Sequence, residues 1–292
     1  MDAAIRQAIN TLKNDRSHGA GWLTRQAIRI LGKAAAGSKA ATVSSLAKEV
    51  KTVAAALLIA RPGMVSVANY VLIFDEEFKQ NAAGVRTVAA QKKQCASIAG
   101  KLVNHCEQAS AAATQKAAAL IDNKSIILTC SYSSSVCDAL KAARENGRDF
   151  RVLAAESKSS GKSFGRLMAR ELKKTGIIAK IFPDDQAGWH IARADMVLLG
   201  TDAVSQQGWM INGTPSLELC RWAKKRKMPV YVVCDIAKID AHGILATMRE
   251  PVEGFDMVPF ELVAAFITGA GMLKPDDIYN IKPGNLFNNQ HA

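Results

Sequence analysis

A helical domain followed by a doubly wound, mainly parallel α/β domain is the fold class this sequence predicts, and three observations predict it. Up to about residue 120, apolar residues recur at three- and four-residue spacing without strand-like alternation, the mark of amphipathic helices. After Asp122-Asn123-Lys124, short apolar runs alternate with amphipathic stretches of helical length. Those runs are continuous rather than alternating, as expected of strands buried on both faces of a parallel sheet. The domains are expected at 1–120 and 121–292, and 292 residues suffice for two cores.

The elements come in order. Residues 3–13, 21–35 and 43–60 read as helices, with Ser38 and Thr42 as candidate N-caps. From 64 to about 122 the pattern is of long alanine-rich helices, including 81–118, where small side chains let neighbours approach closely. Then come a strand at 125–129, a helix at 136–146, a strand at 150–155 and a helix at 165–175. A strand at 177–182, a short helix at 189–194 and a strand at 196–200 continue the alternation, and a helix at 216–225 and a strand at 230–234 extend it. Repeated β–α units with short connections specify a Rossmann-like sheet. There is no internal repeat of solenoid period.

Composition bounds the partners. At 49% hydrophobic residues the chain is globular, and a net charge of +12 favours anions. The basic run Lys224-Lys225-Arg226-Lys227 directly precedes an apolar strand, where cations compensate a helix C-terminus. Aromatic residues make up only 6% and are not interleaved with basic ones, so nucleic acid is not the expected partner. The apolar stretch 53–74 is interrupted by Arg61-Pro62-Gly63, which argues against a membrane span. Six scattered cysteines without a C-x-x-C pair, behind an N-terminal segment lacking a signal-like apolar core, point to free thiols in a reducing cytoplasm. Five histidines without ligand spacing give no reason to expect a metal, and no motif calls for another cofactor.

In a doubly wound sheet, ligands bind beyond the carboxyl ends of the strands, so the chemistry is sought in the loop after each strand. Thr129 leads into Cys130-Ser131-Tyr132-Ser133-Ser134-Ser135, a hydroxyl-rich loop opening a helix. It is either an anion cradle or ordinary N-capping by Ser133 or Ser134. Ala155 leads into Glu156-Ser157-Lys158-Ser159-Ser160-Gly161-Lys162-Ser163, whose Gly-Lys-Ser tail lacks the first glycine of a P-loop. Gly200-Thr201-Asp202 places a carboxylate at a strand end, as proton acceptor or as turn residue. Asn212-Gly213-Thr214 reads as a turn into the next helix, and Lys238 comes after the strand ending near Cys234. Four strand ends thus supply serine, lysine, aspartate, asparagine and lysine to one rim.

In that order, Ile127-Leu128-Thr129 with its serine loop, Glu156-Ser157, Asp185-Gln186-Ala187-Gly188 and Gly200-Thr201-Asp202 form a series. Asn212-Gly213-Thr214, Pro229 through Cys234 with Lys238, and Phe255-Asp256 with Pro259 complete it. The series resembles the family that joins the alpha, beta and delta subunits of eukaryotic translation initiation factor 2B to two sugar-phosphate isomerases. Those isomerases act on ribose 1,5-bisphosphate and methylthioribose 1-phosphate. The resemblance spans nearly the whole chain. It implies a phosphorylated sugar, or a nucleotide-derived metabolite, as ligand, a homodimer, and phosphate contacts from Ser133, Ser134, Lys158, Asn212 and Lys238. From the helical domain it implies contacts by Arg16, Gly19 and Ala20, in Asp15-Arg16-Ser17-His18-Gly19-Ala20, and by Arg61 in Ala60-Arg61-Pro62.

For catalysis the resemblance implies a cysteine and an aspartate. The aspartate matches Asp202, but the cysteine position holds Ser131, with Cys130 one residue before it. A serine hydroxyl is a weak base where a thiolate is accessible. The family's Asn-Lys-x-Gly-Thr segment is shortened here to Asn212-Gly213-Thr214, and Lys158 replaces an arginine. Two activities therefore remain open: an aldose–ketose isomerase using Asp202 with Ser131 or Cys130, and a non-catalytic regulatory subunit that senses a phosphorylated metabolite and binds protein partners.

Overall fold

Helices come first because nothing before residue 120 offers a period-two pattern. The computed structural model, which describes residues 1–15, 18–81 and 84–287, has α1 (Ala3–Asn14), α2 (Ala20–Gly37), α3 (Val43–Ala60), α4 (Val65–Gln80) and α5 (Val88–Ala119). Residues 65–71 of α4 are all buried, including Ser66 and Asn69, and α2 and α3 both pack on the helix. Thr42 caps α3 as expected, its Oγ1 accepting the Ser45 N–H at 3.1 Å. Ser38 does not cap α3. It ends α2, and its hydroxyl donates to the Glu49 carboxylate at 2.6 Å. The helix expected from residue 81 begins at Val88, because Asn81 caps α4 and Gly84 has a φ of 96°.

The chain divides into two compact units, Met1–Gln108 and Ala109–Ala292, the division falling inside α5. The change of hydrophobic period lies a little later, near residue 120.

The second unit carries β1 (Ile126–Thr129), α6 (Ser134–Glu145), β2 (Arg151–Ala155), β3 (Lys158–Ser159), β4 (Lys162–Ser163), α7 (Phe164–Lys173), β5 (Ala179–Phe182) and α8 (Ala187–Ile191). Next come β6 (Met196–Leu199), β7 (Ala203–Ser205), β8 (Trp209–Gly213), α9 (Ser216–Lys225), β9 (Val230–Val233), β10 (Phe255–Pro259), β11 (Ala265–Ile267), β12 (Met272–Leu273) and α10 (Pro275–Ile278). The main sheet runs β12-β11-β9-β6-β1-β2-β5, parallel except for β12 at one edge. Numbered by chain order, the parallel strands read 3-2-1-4-5-6 from β5, the Rossmann order. Ile127 and Leu198 face a core closed by α6, α7 and the end of α5. Leu128 and Leu199 face the opposite core, closed by α8 and α9.

Two small sheets stand where the sequence reads as loops. Residues 209–213, expected in part as a turn, form the middle strand of β10-β8-β7, paired on both sides. The Gly-Lys-Ser tail forms the return of the β3–β4 hairpin, whose two turn residues, Ser160 and Gly161, have φ of 47° and 73°. The basic run ends α9, with Arg226 as its C-cap, where its charges oppose the exposed carbonyls.

One close approach fixes α7 on the sheet. A Cβ at Gly165 would lie 2.0 Å from the Ala155 carbonyl oxygen. Gly165→Ala is therefore expected to cost about 3 kcal/mol in urea unfolding. Gly100→Ala in α5, where nothing lies within 4 Å, is expected to add about 0.5–1 kcal/mol.

Candidate functional site

The connections reverse direction between β1 and β6: β1, β2 and β5 step one way across the sheet, β6, β9 and β11 the other. Loops leaving adjacent strands toward opposite faces leave a crevice between them. The loops that meet there are packed serine on glycine. A Cβ on Gly200, just after β6, would lie 2.2 Å from Ser133 Oγ, and one on Gly213, ending β8, 2.2 Å from Ser131 Oγ. A Cβ on Gly254 would lie 2.3 Å from Ser159 Oγ, tying the β3–β4 hairpin to the start of β10.

Asp202 comes just after β6 and is fixed by its N–H donating to the Ile211 carbonyl at 2.9 Å. Its carboxylate is half-buried and makes no hydrogen bond among the described residues. Burial raises its pKa above the ordinary carboxylate range, and the Lys238 ammonium pulls the other way. Lys238 is itself buried and donates from Nζ to the Thr201 carbonyl at 2.6 Å. Ser133 caps α6, its Oγ accepting the Val136 N–H at 3.3 Å, and Ser134, exposed, is the first residue of that helix. The N–H groups of a first helical turn lack intrahelical partners and suit an anion. Ser131, Ser133, Asp202 and Lys238 thus lie in or against the loops that leave the strands at this reversal.

Other expected contributors are engaged differently. Cys130 is buried among core residues, its Sγ 3.2 Å from Ser216 Oγ, and burial pushes its thiol up to about 12. One step along the chain separates the core face from the crevice, and Cys130 lies on the core side. Asn212 is buried and donates from Nδ2 to Ser216 Oγ at 2.8 Å, securing the start of α9. Lys158 is exposed, its ammonium 3.1 Å from a Glu156 carboxylate oxygen, and Arg166 also pairs with Glu156, at 3.0 Å.

In the helical unit, Gly19 is the N-cap of α2 and Ala20 its buried first residue. The Arg61 guanidinium donates to the Leu12 carbonyl, at 2.9 Å from Nε and 2.7 Å from Nη2, and also to the Asp15 carbonyl. A cation against the last carbonyls of α1 opposes its dipole. Arg16 lies outside the described residues.

Three further aspartates hold backbone or helix starts near the strand ends, and two of them, Asp256 and Asp184, do so through partners distant in the chain. Asp256, on β10, accepts the Leu217 N–H at 2.9 Å and the Thr214 hydroxyl at 3.0 Å, capping α9. Asp184, after β5, accepts N–H groups from the turn after β2. Asp235, buried after β9, accepts the Ala237 N–H at 2.9 Å. Burial raises Asp235 from 3.8 to about 6, against the pull of that hydrogen bond and of Lys238. The folded protein then holds this proton longer than the unfolded chain. Its contribution to stability is present below about pH 4 and is lost as pH rises to about 6, by up to about 3 kcal/mol. Urea unfolding of Asp235→Asn is expected to lack that decline while keeping an acceptor for Ala237.

Residues 16–251 match the initiation factor 2 subunit family. A ribose 1,5-bisphosphate isomerase of Thermococcus kodakarensis is 25% identical over 295 residues, covering 93% of this chain and 91% of its own. A methylthioribose-1-phosphate isomerase of Desulforudis audaxviator is 30% identical over 179 residues, covering 52% of this chain and 51% of its own. The crystal structure of translation initiation factor eIF-2B from Pyrococcus horikoshii shares the fold, with a TM-score of 0.80 at 23% identity over 95% of this chain and 100% of that one. With its Rossmann strand order, its serine loop at the reversal and the match over residues 16–251, the chain belongs to the initiation factor 2 subunit family.

Proposed function

We propose that the chain binds a phosphorylated sugar at the carboxyl ends of β1 and β6 and interconverts its aldose and ketose forms. The reaction is of the ribose 1,5-bisphosphate or methylthioribose 1-phosphate type. The observation that carries this reading is Asp202, a half-buried carboxylate raised by burial that makes no side-chain hydrogen bond among the described residues, just after β6 at the reversal. In a 1-phosphorylated aldose, C1 carries the ring oxygen and the phosphate ester. The shift therefore breaks the ring C1–O bond with protonation of the ring oxygen, moves the C2 hydrogen to C1 and removes the C2 hydroxyl proton, leaving a ketone with the phosphate still in place. The group that carries the proton must accept and release it near neutral pH, which a desolvated carboxyl does better than a solvated one. The shift is redox-neutral within the substrate and consumes no cofactor. Lys238 supplies a fixed positive charge for an oxyanion or phosphate, and the α6 N-terminus with Ser133 and Ser134 supplies neutral donors for phosphate.

One observation favours a second reading. Ser131 stands where the isomerases carry a cysteine, and the thiol of Cys130 is buried and protonated. A chain without a reactive thiol would hold the phosphorylated metabolite as a sensor and act through protein partners. In either reading the protein works in the cytoplasm as a homodimer, which analytical ultracentrifugation tests.

The two readings part on turnover. Offered ribose 1,5-bisphosphate and methylthioribose 1-phosphate, an isomerase forms ketose detectable by NMR. Asp202→Asn is then expected to lower the rate at least about 100-fold while binding persists, and Lys238→Met to weaken binding at least about 10-fold. Tight binding without ketose establishes the sensor and sinks the isomerase. Salt-dependent RNA binding with no sugar-phosphate binding overturns both.

A further inference from the structure

Three serines of the sheet unit adopt left-handed backbone: Ser131 (φ 62°), Ser157 (φ 54°) and Ser160 (φ 47°). The hairpin turn accounts for Ser160. The other two lie outside any such turn, where a non-glycine residue is disfavoured unless its surroundings hold it. Their surroundings form a chain of hydrogen bonds. The Ser131 N–H donates to Ser157 Oγ at 2.7 Å. Ser157 is 1% exposed, and its own hydroxyl donates to the Ala155 carbonyl at 3.3 Å. The backbone at Ser157 is gripped by Asp184, whose Oδ1 accepts the Ser157 N–H at 2.7 Å and whose Oδ2 accepts the Lys158 N–H at 3.1 Å.

Asp184 lies just after β5, Ser157 after β2 and Ser131 after β1, and these strands are neighbours in the sheet. We propose that Asp184 is a positioning residue that acts through Ser157 to hold the loop after β1 in its ligand-binding shape, two strands away from the crevice it serves. What that loop does rests on the sugar-phosphate reading; the relay itself does not. Both carboxylate oxygens are needed because two adjacent N–H groups face them. An asparagine offers one acceptor and turns an amide donor toward the second N–H. The loop has little freedom to compensate. Ser131 Oγ is seated against Gly213, and two residues later Ser133 is seated against Gly200 while it caps α6. A change of φ at Ser131 displaces both contacts.

The test pairs a ligand-free reading with a kinetic one. Amide hydrogen exchange at Ser131 is expected to be slow in the wild type and markedly faster in Asp184→Ala and in Ser157→Ala. With ribose 1,5-bisphosphate, both variants are expected to lose about 10- to 100-fold in kcat, or in affinity if the protein is a sensor. For turnover, KM is expected to stay within about threefold. Because one chain of bonds is cut, the double variant is expected to lose no more than either single variant. Asp195→Ala is the structural control. That carboxylate accepts the Ile126 N–H at 2.7 Å at the opposite end of β1, so its loss is expected to lower Tm without changing kcat or Ser131 exchange. Unchanged exchange at Ser131 in Asp184→Ala overturns the relay. Faster exchange with unchanged ligand kinetics overturns the positioning role, as does additive loss in the double variant. A wild type that neither binds nor converts the sugar bisphosphate overturns the functional reading instead, and Ser131 exchange still decides the relay.

Discussion

The reversal of strand order between β1 and β6 is the constraint on which the rest of this structure depends. Parallel strands joined by right-handed crossovers send their helices to one face while the order advances, and to the other once it reverses. At the reversal, two loops leave neighbouring strands in opposite directions and backbone cannot fill the space between them. The serine loop after β1 and the Gly200-Thr201-Asp202 turn after β6 border that space. Glycines at 200 and 213 admit Ser133 and Ser131 to positions that any side chain there would occupy.

Around this crevice the carboxylates divide by what they touch. Asp256 and Asp184 each spend both oxygens on protein donors, and thereby lock a helix start and a turn. Asp235 is buried over one backbone N–H. Asp202 alone of these four has a carboxylate raised by burial that makes no hydrogen bond among the described residues. An ionisable group left unsatisfied within an otherwise satisfied network is available to a ligand. The same division separates Cys130 from Ser131: adjacent in sequence, one belongs to the core and the other to the loop.

The elements read most easily from sequence are those whose burial is continuous. Helix α9 spans the expected 216–225, and the strands at 126–129, 151–155, 196–199 and 230–233 lie within one residue of expectation at each end. The sheet β10-β8-β7 is not legible, because Asp256 pairs with Asn212 across a separation that no local pattern encodes. Thr42 is legible as a cap. Ser38 is not, because it ends α2, and its hydroxyl accepts the Ala40 N–H in the turn before α3 while donating to Glu49. Of the site, the strand ends carrying Ser133, Asp202 and Lys238 are visible as positions. Asp184 is not, since its role lies entirely in N–H groups more than twenty residues upstream.

Sequence by itself determined the helical beginning and the parallel α/β class, because period and burial are local properties of a chain, and it placed polar residues after the strand ends. The tertiary structure decided which rim residues are free to act. It buried the Cys130 thiol, paired Lys158 with Glu156 and spent Asn212 on Ser216. It left the Asp202 carboxylate near Lys238 without a hydrogen bond among the described residues. Those outcomes depend on desolvation and on partners brought together only by folding, and no spacing of residues along the chain specifies either.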